Sequence, residues 1–147
     1  MKKLPIGIKD FKNIMEDSYL YLDKTEYLYN LISEGKYYFI SRPRRFGKSL
    51  LVSTLENIFC GNKELFRDLF IYDKWSFPKH PIIKIDFNEI KKNTHEILEK
   101  SLIERLKEIY EEYNLNYEAE NYKSGLSKLI KKVGSKKKSC YTYRRIR

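Results

Sequence analysis

Phe39-Ile40-Ser41-Arg42-Pro43-Arg44-Arg45-Phe46-Gly47-Lys48-Ser49-Leu50-Leu51 is the stretch on which the reading of this chain turns. An apolar segment, Lys36 to Ser41, runs into a short arginine-rich turn. Gly47-Lys48-Ser49 then opens a segment with Leu50, Leu51, Thr54, Leu55, Ile58 and Phe59 at helical spacing, a face that calls for a sheet to pack on. Strand, turn and helix in that order are the context in which Gly-Lys-Ser holds a phosphate. Backbone N–H groups from Arg45 to Ser49 would face an anion at the helix N-terminus. Lys48 would reach the β- and γ-phosphates of a nucleotide, and the Ser49 hydroxyl would be a ligand of Mg²⁺. The expected nucleotide-binding residues are Arg44, Arg45, Phe46, Gly47, Lys48, Ser49 and Leu50, with Ser49 as the metal ligand. Against this stands the usual spacing G-x-x-x-x-G-K-[ST], which asks for glycine where the chain has Arg42, followed by the stiff Pro43. The plain competitor is a strand-turn-helix whose Lys48 is merely solvated.

Outward from the loop, Ser18 to Asp23 alternates tyrosine and leucine and reads as a short strand or an extended arm. Thr25 to Ser33 reads as a helix stopped by Gly35, with Asp23-Lys24-Thr25 as its cap. Lys36 to Ser41 is expected as the first core strand and Pro81 to Phe87 as the second. Between them, Phe66, Leu69, Phe70, Ile71, Tyr72, Trp75 and Phe77 are expected to form a satellite core, with base stacking as the alternative. Thr94 to Tyr110 and Tyr122 to Val133 read as amphipathic helices. Asp86 closes a strand without qualifying as a catalytic residue, and His80 and His95 stand apart from each other and from cysteine, so neither suggests a metal site. The order β-α-β-α-α gives the expected fold class: α/β, a P-loop NTPase-like parallel sheet flanked by helices.

Composition bounds the class. Charged residues make up 34% of the 147 residues and hydrophobic ones 41%. No apolar run approaches the roughly 18 to 20 residues that cross a membrane, and the N-terminus lacks the apolar core of a signal peptide, so a cytoplasmic location without membrane contact is expected. Cys60 and Cys140 have neither metal-ligand spacing nor a disulfide framework. The net charge of +10 invites a nucleic-acid partner, but residues 131–147 hold eight bases and no acid, while the other 130 residues carry 22 bases against 20 acids. A basic-tail module that binds nucleic acid is therefore a weakly supported alternative.

Three stretches resemble the AAA-ATPase-like domain family found in many bacterial proteins: Leu4-Pro5-Ile6-Gly7-Ile8-Lys9-Asp10-Phe11, Tyr21-Leu22-Asp23-Lys24-Thr25 and Arg42-Pro43-Arg44-Arg45-Phe46-Gly47-Lys48-Ser49. The resemblance runs from about Leu4 to Lys132, and the arginine-rich loop is that family's own form, which accounts for Arg42. It implies ATP and Mg²⁺ as cofactors, and it allows Asp23 to Thr25 a place beside the adenine or ribose. Full-length relatives continue through an acidic metal-binding strand and often end in a nuclease domain of the PD-(D/E)xK type. Neither is visible in this sequence.

The end of the chain differs from the rest. Ser139-Cys140-Tyr141-Thr142-Tyr143-Arg144-Arg145-Ile146-Arg147 has neither helical period nor the pattern of a strand ending in a turn. One set of codons permitted for these residues, read one base forward, translates as Val-Val-Ile-Leu-Ile-Asp-Glu-Tyr, a Walker-B strand; C in place of T at the free bases gives Ala and Thr instead of Val and Ile, and an A/T-rich gene favours T. The A-rich codons of Lys136-Lys137-Lys138 offer a place for a single-base insertion. The expected organisation is thus an AAA-ATPase-like P-loop domain at residues 4–133, truncated before the Walker-B strand, and an out-of-frame, disordered basic tail at 134–147. Such a chain would bind ATP–Mg²⁺ without complete hydrolytic machinery; an inactive pseudogene product is the other alternative. The sequence leaves the oligomeric state open.

Overall fold

The computed structural model describes residues 2–35, 38–41, 43, 46–87, 90 and 94–134, and the backbone of Cys140–Arg144. It divides into two compact units, Met1–Lys79 and His80–Arg147.

In the first unit, α1 (Phe11–Glu16) begins where Asp10 leaves extended backbone and its Oδ1 accepts the Asn13 N–H at 3.0 Å. Residues 19–24 lie outside helix and strand and are tied back by the Leu20 N–H, which donates to the Lys3 carbonyl at 2.8 Å. Helix α2 (Thr25–Glu34) follows and stops at Gly35, within a residue of the expected end. Helix α3 (Lys48–Phe59) starts directly after Gly47. A short 3₁₀ turn, Lys63–Phe66, then leads into the aromatic-rich segment. The core gathers Phe11, Leu28, Leu55, Ile58, Phe66, Ile71 and Phe77. Phe66 is its hub: it stacks on Phe11 with ring centroids 4.7 Å apart and meets Phe77 at 5.1 Å. The satellite-core expectation therefore holds for Phe66, Ile71 and Phe77, whereas Phe70 stays exposed.

The second unit contains β1 (Ile82–Asp86), α4 (His95–Glu112), α5 (Tyr122–Gly134) and β2 (Cys140–Arg144). Strand β1 alternates, burying Ile83 and Ile85. Helix α4 is capped by Thr94, whose hydroxyl accepts the Ile97 N–H at 3.3 Å. Its Leu106, Ile109 and Tyr110 pack with Leu129 and Val133 of α5 and with the two β1 isoleucines.

Two expectations are corrected here. Lys36 to Ser41 is not a core strand: Tyr38 to Ser41 pair with nothing in a ladder, and Lys36 and Tyr37 lie outside the described residues. The chain is mostly helical, with β1 and β2 as the strands of the described residues, so the expected P-loop NTPase-like parallel sheet flanked by helices is not what it forms. The apolar face of α3 packs instead on α1 and the Lys63–Phe66 turn. An alternating or apolar pattern makes a segment compatible with a strand, but the hydrogen bonds come from a neighbour, and a short segment without one has no ladder to join. Cys140–Arg144 form β2, which runs parallel to β1 in the register Ile82 with Cys140 through Asp86 with Arg144.

Candidate phosphate-binding site

Gly47 is the N-cap of α3 and sits in the left-handed region, φ 72° and ψ 14°. Residues with a Cβ adopt that conformation at a cost, and glycine does not. Packing is not the reason for the glycine, since a Cβ placed there would meet nothing within 4 Å. Its carbonyl accepts the Leu51 N–H at 2.9 Å, which closes the first helical turn over Lys48, Ser49 and Leu50. A glycine cap has no side chain to accept first-turn N–H groups, and that turn contains no acidic residue. Its partial positive charge is therefore not offset from within the turn, and Lys48 adds a full one.

Of the expected site residues, Gly47, Lys48, Ser49 and Leu50 come together at this helix start, the last three half-buried. Phe46, just before it, is exposed. Arg44 and Arg45 lie outside the described residues.

Hydrogen bonds that sequence reading missed hold α3 in place. The buried Ser53 hydroxyl accepts the Phe11 N–H at 2.9 Å and donates to Asp10 Oδ2 at 3.1 Å. The buried Thr54 hydroxyl donates to the Leu50 carbonyl at 2.8 Å. Burial pushes the Tyr21 phenol above its ordinary pKa, against the opposing effect of the Thr54 hydroxyl. Asp10 carries a readable signal, a short acceptor before a helix, but its partner 43 residues away does not.

Asp23 and Thr25 have a structural task. Asp23 Oδ1 accepts the Thr25 N–H at 2.8 Å and the Thr25 hydroxyl at 2.7 Å, which is the expected capping contact at the start of α2. Asp23 Oδ2 also accepts the Phe70 N–H at 2.7 Å, and Thr25 Oγ1 accepts the Ile71 N–H at 3.2 Å. Asp86 ends β1 in the other unit. Among the described residues no group of three or more His, Cys, Asp and Glu could hold a metal ion, and no helix is long and apolar enough to cross a membrane.

The structure thus defines a helix-rich protein with a glycine-capped Gly-Lys-Ser helix start. The chain belongs to the AAA-ATPase-like family, whose model, described as a predicted AAA-ATPase, matches residues 5–141. A curated relative, an uncharacterized protein in the vnfD 5' region of Azotobacter chroococcum mcd 1, is 52% identical over 88 residues. That match covers 58% of this chain but 17% of the relative, so the chain spans less than a fifth of that protein's length. No solved structure matches the chain.

Proposed function

We propose that this chain binds ATP with Mg²⁺ at the start of α3, with the phosphates against the first-turn amides. Lys48 would neutralise phosphate charge, and the Ser49 hydroxyl would take a place on Mg²⁺, which supplies further charge neutralisation when bound. The observation that carries this is the left-handed Gly47 cap immediately before Lys48 and Ser49, open on the side where a Cβ would stand. Membership of the AAA-ATPase-like family supports it. What Gly47, Lys48 and Ser49 would supply is phosphate and Mg²⁺ binding, and binding is what is proposed.

A ligand that binds only the folded protein raises its stability, by about 2.7 kcal/mol at a hundredfold excess over Kd. Titrating MgATP against the melting temperature tests the proposal. The native protein is expected to shift upward and Lys48→Ala is not; equal shifts, or none in either, would reject it.

A further inference from the structure

We propose that Ser53, through its hydroxyl ring with Asp10 and Phe11, is a positioning residue that fixes the rotation of α3 and so aims the phosphate-binding turn. This inference rests on the nucleotide reading above.

Ser49 and Ser53 are four residues apart and so share one stripe of α3. The Ser53 hydroxyl closes a small ring: it accepts the Phe11 N–H at 2.9 Å and donates to Asp10 Oδ2 at 3.1 Å, while Asp10 Oδ1 accepts the Asn13 N–H at 3.0 Å. Three points of chain are joined: the cap of α1, its first N–H and the second turn of α3. Within α3 itself, Thr54 donates to the carbonyl of Leu50, a residue of the first turn.

Apolar packing is non-directional, so a helix held by it alone can roll about its axis at little cost. The two hydrogen bonds that join Ser53 to the start of α1 oppose the roll, because each needs its donor and acceptor within a few tenths of an ångström and in line. Rolling α3 would swing the amides of its first turn away from a bound phosphate. Serine inside a helix is also a weaker helix former than alanine, and what it offers at position 53 is this bond. The N-terminal stretch picked out from the sequence, Leu4 to Phe11, thereby acquires a connection to α3.

The test compares MgATP affinity across variants of the full chain, well below their melting temperatures. Ser53→Ala is expected to weaken binding about tenfold, the equivalent of one buried hydrogen bond. Ser53→Thr, which keeps the hydroxyl, is expected to restore it. Ile71→Val lowers the melting temperature from the same core and is expected to leave affinity unchanged, whereas a purely structural role for Ser53 would make the two variants lose affinity alike. Native-like binding by Ser53→Ala, or losses by Ser53→Ala and Ile71→Val in step with their melting temperatures, would overturn the inference. Should Ser53→Ala fail to fold, Asp10→Asn decides, since its amide nitrogen cannot accept the Ser53 proton while its oxygen keeps the α1 cap: about a threefold loss supports the inference, and native affinity overturns it. If the native protein binds MgATP no better than Lys48→Ala, the nucleotide reading and this inference fall together. If Lys48→Ala alone loses binding, only the inference falls.

Discussion

The Tyr113 hydroxyl bonds twice to Ile82, accepting its N–H and donating to its carbonyl, each at 2.8 Å. Those two backbone groups are the ones a neighbouring strand would otherwise take, so a side chain at the end of α4 closes this part of the β1 edge. Arg105, two turns earlier, reaches the Lys84 carbonyl at 3.5 Å. Tyr113→Phe keeps the ring and deletes both bonds, and is expected to cost about 1–3 kcal/mol. Denaturant unfolding measures the loss, and faster hydrogen exchange at the Ile82 amide locates it.

Thr25 plays the equivalent part in the first unit. Its hydroxyl donates to Asp23 and accepts the Ile71 N–H, joining the start of α2 to the aromatic segment. Thr25→Val has nearly the same shape, removes one of the three bonds to Asp23 and leaves the Ile71 N–H without its acceptor at a fully buried position. The expected cost is about 1–3 kcal/mol, with loss of exchange protection at the Ile71 amide.

Gly47→Ala tests the left-handed cap by itself. The added methyl meets no atom within 4 Å, so any loss comes from backbone strain at φ 72°. A loss of about 1–2 kcal/mol in unfolding free energy is expected. A neutral result would show that the helix start relaxes.

Alkaline pH should weaken the second unit. Tyr110 is buried and donates to the Gly125 carbonyl at 2.8 Å, and burial first, then nearby Tyr117 and Glu118, raises its pKa above the ordinary 10.0. Below pH 10 the phenol is protonated whether folded or unfolded, and its contribution is complete. As pH rises past 10 the unfolded chain loses the proton first, so stability drains away until the folded pKa is passed. Unfolding measured from pH 8 to 11 should show this fall, and Tyr110→Phe should make it shallower; Tyr117, raised by the same cause, retains part of the slope.

What the sequence made legible was local. Thr25, Thr94 and Tyr122 were readable as helix starts because caps and 3.6-residue periodicity are written in consecutive residues, and the structure places helices at Thr25–Glu34, His95–Glu112 and Tyr122–Gly134. The Pro81 to Phe87 strand appears as Ile82–Asp86 for the same reason. Lys36 to Ser41 failed because a strand is a property of a pair, and its apolar pattern names no partner. The six-residue α1 is too short to show a period, although Asp10 announces its cap. At the site, Gly47, Lys48 and Ser49 were legible as a motif. The contacts that hold the helix, from Asp10 and Phe11 to Ser53, span more than forty residues and leave no mark in either segment alone.

The central claim is that a nucleotide triphosphate binds at the turn from Gly47 into α3. Isothermal calorimetry of MgATP into the native chain and into Lys48→Ala measures it most directly. The account predicts saturable heat with one site per chain for the native protein and no saturable heat for the variant. Equal heats from both, or none from either while circular dichroism shows both folded, would contradict it.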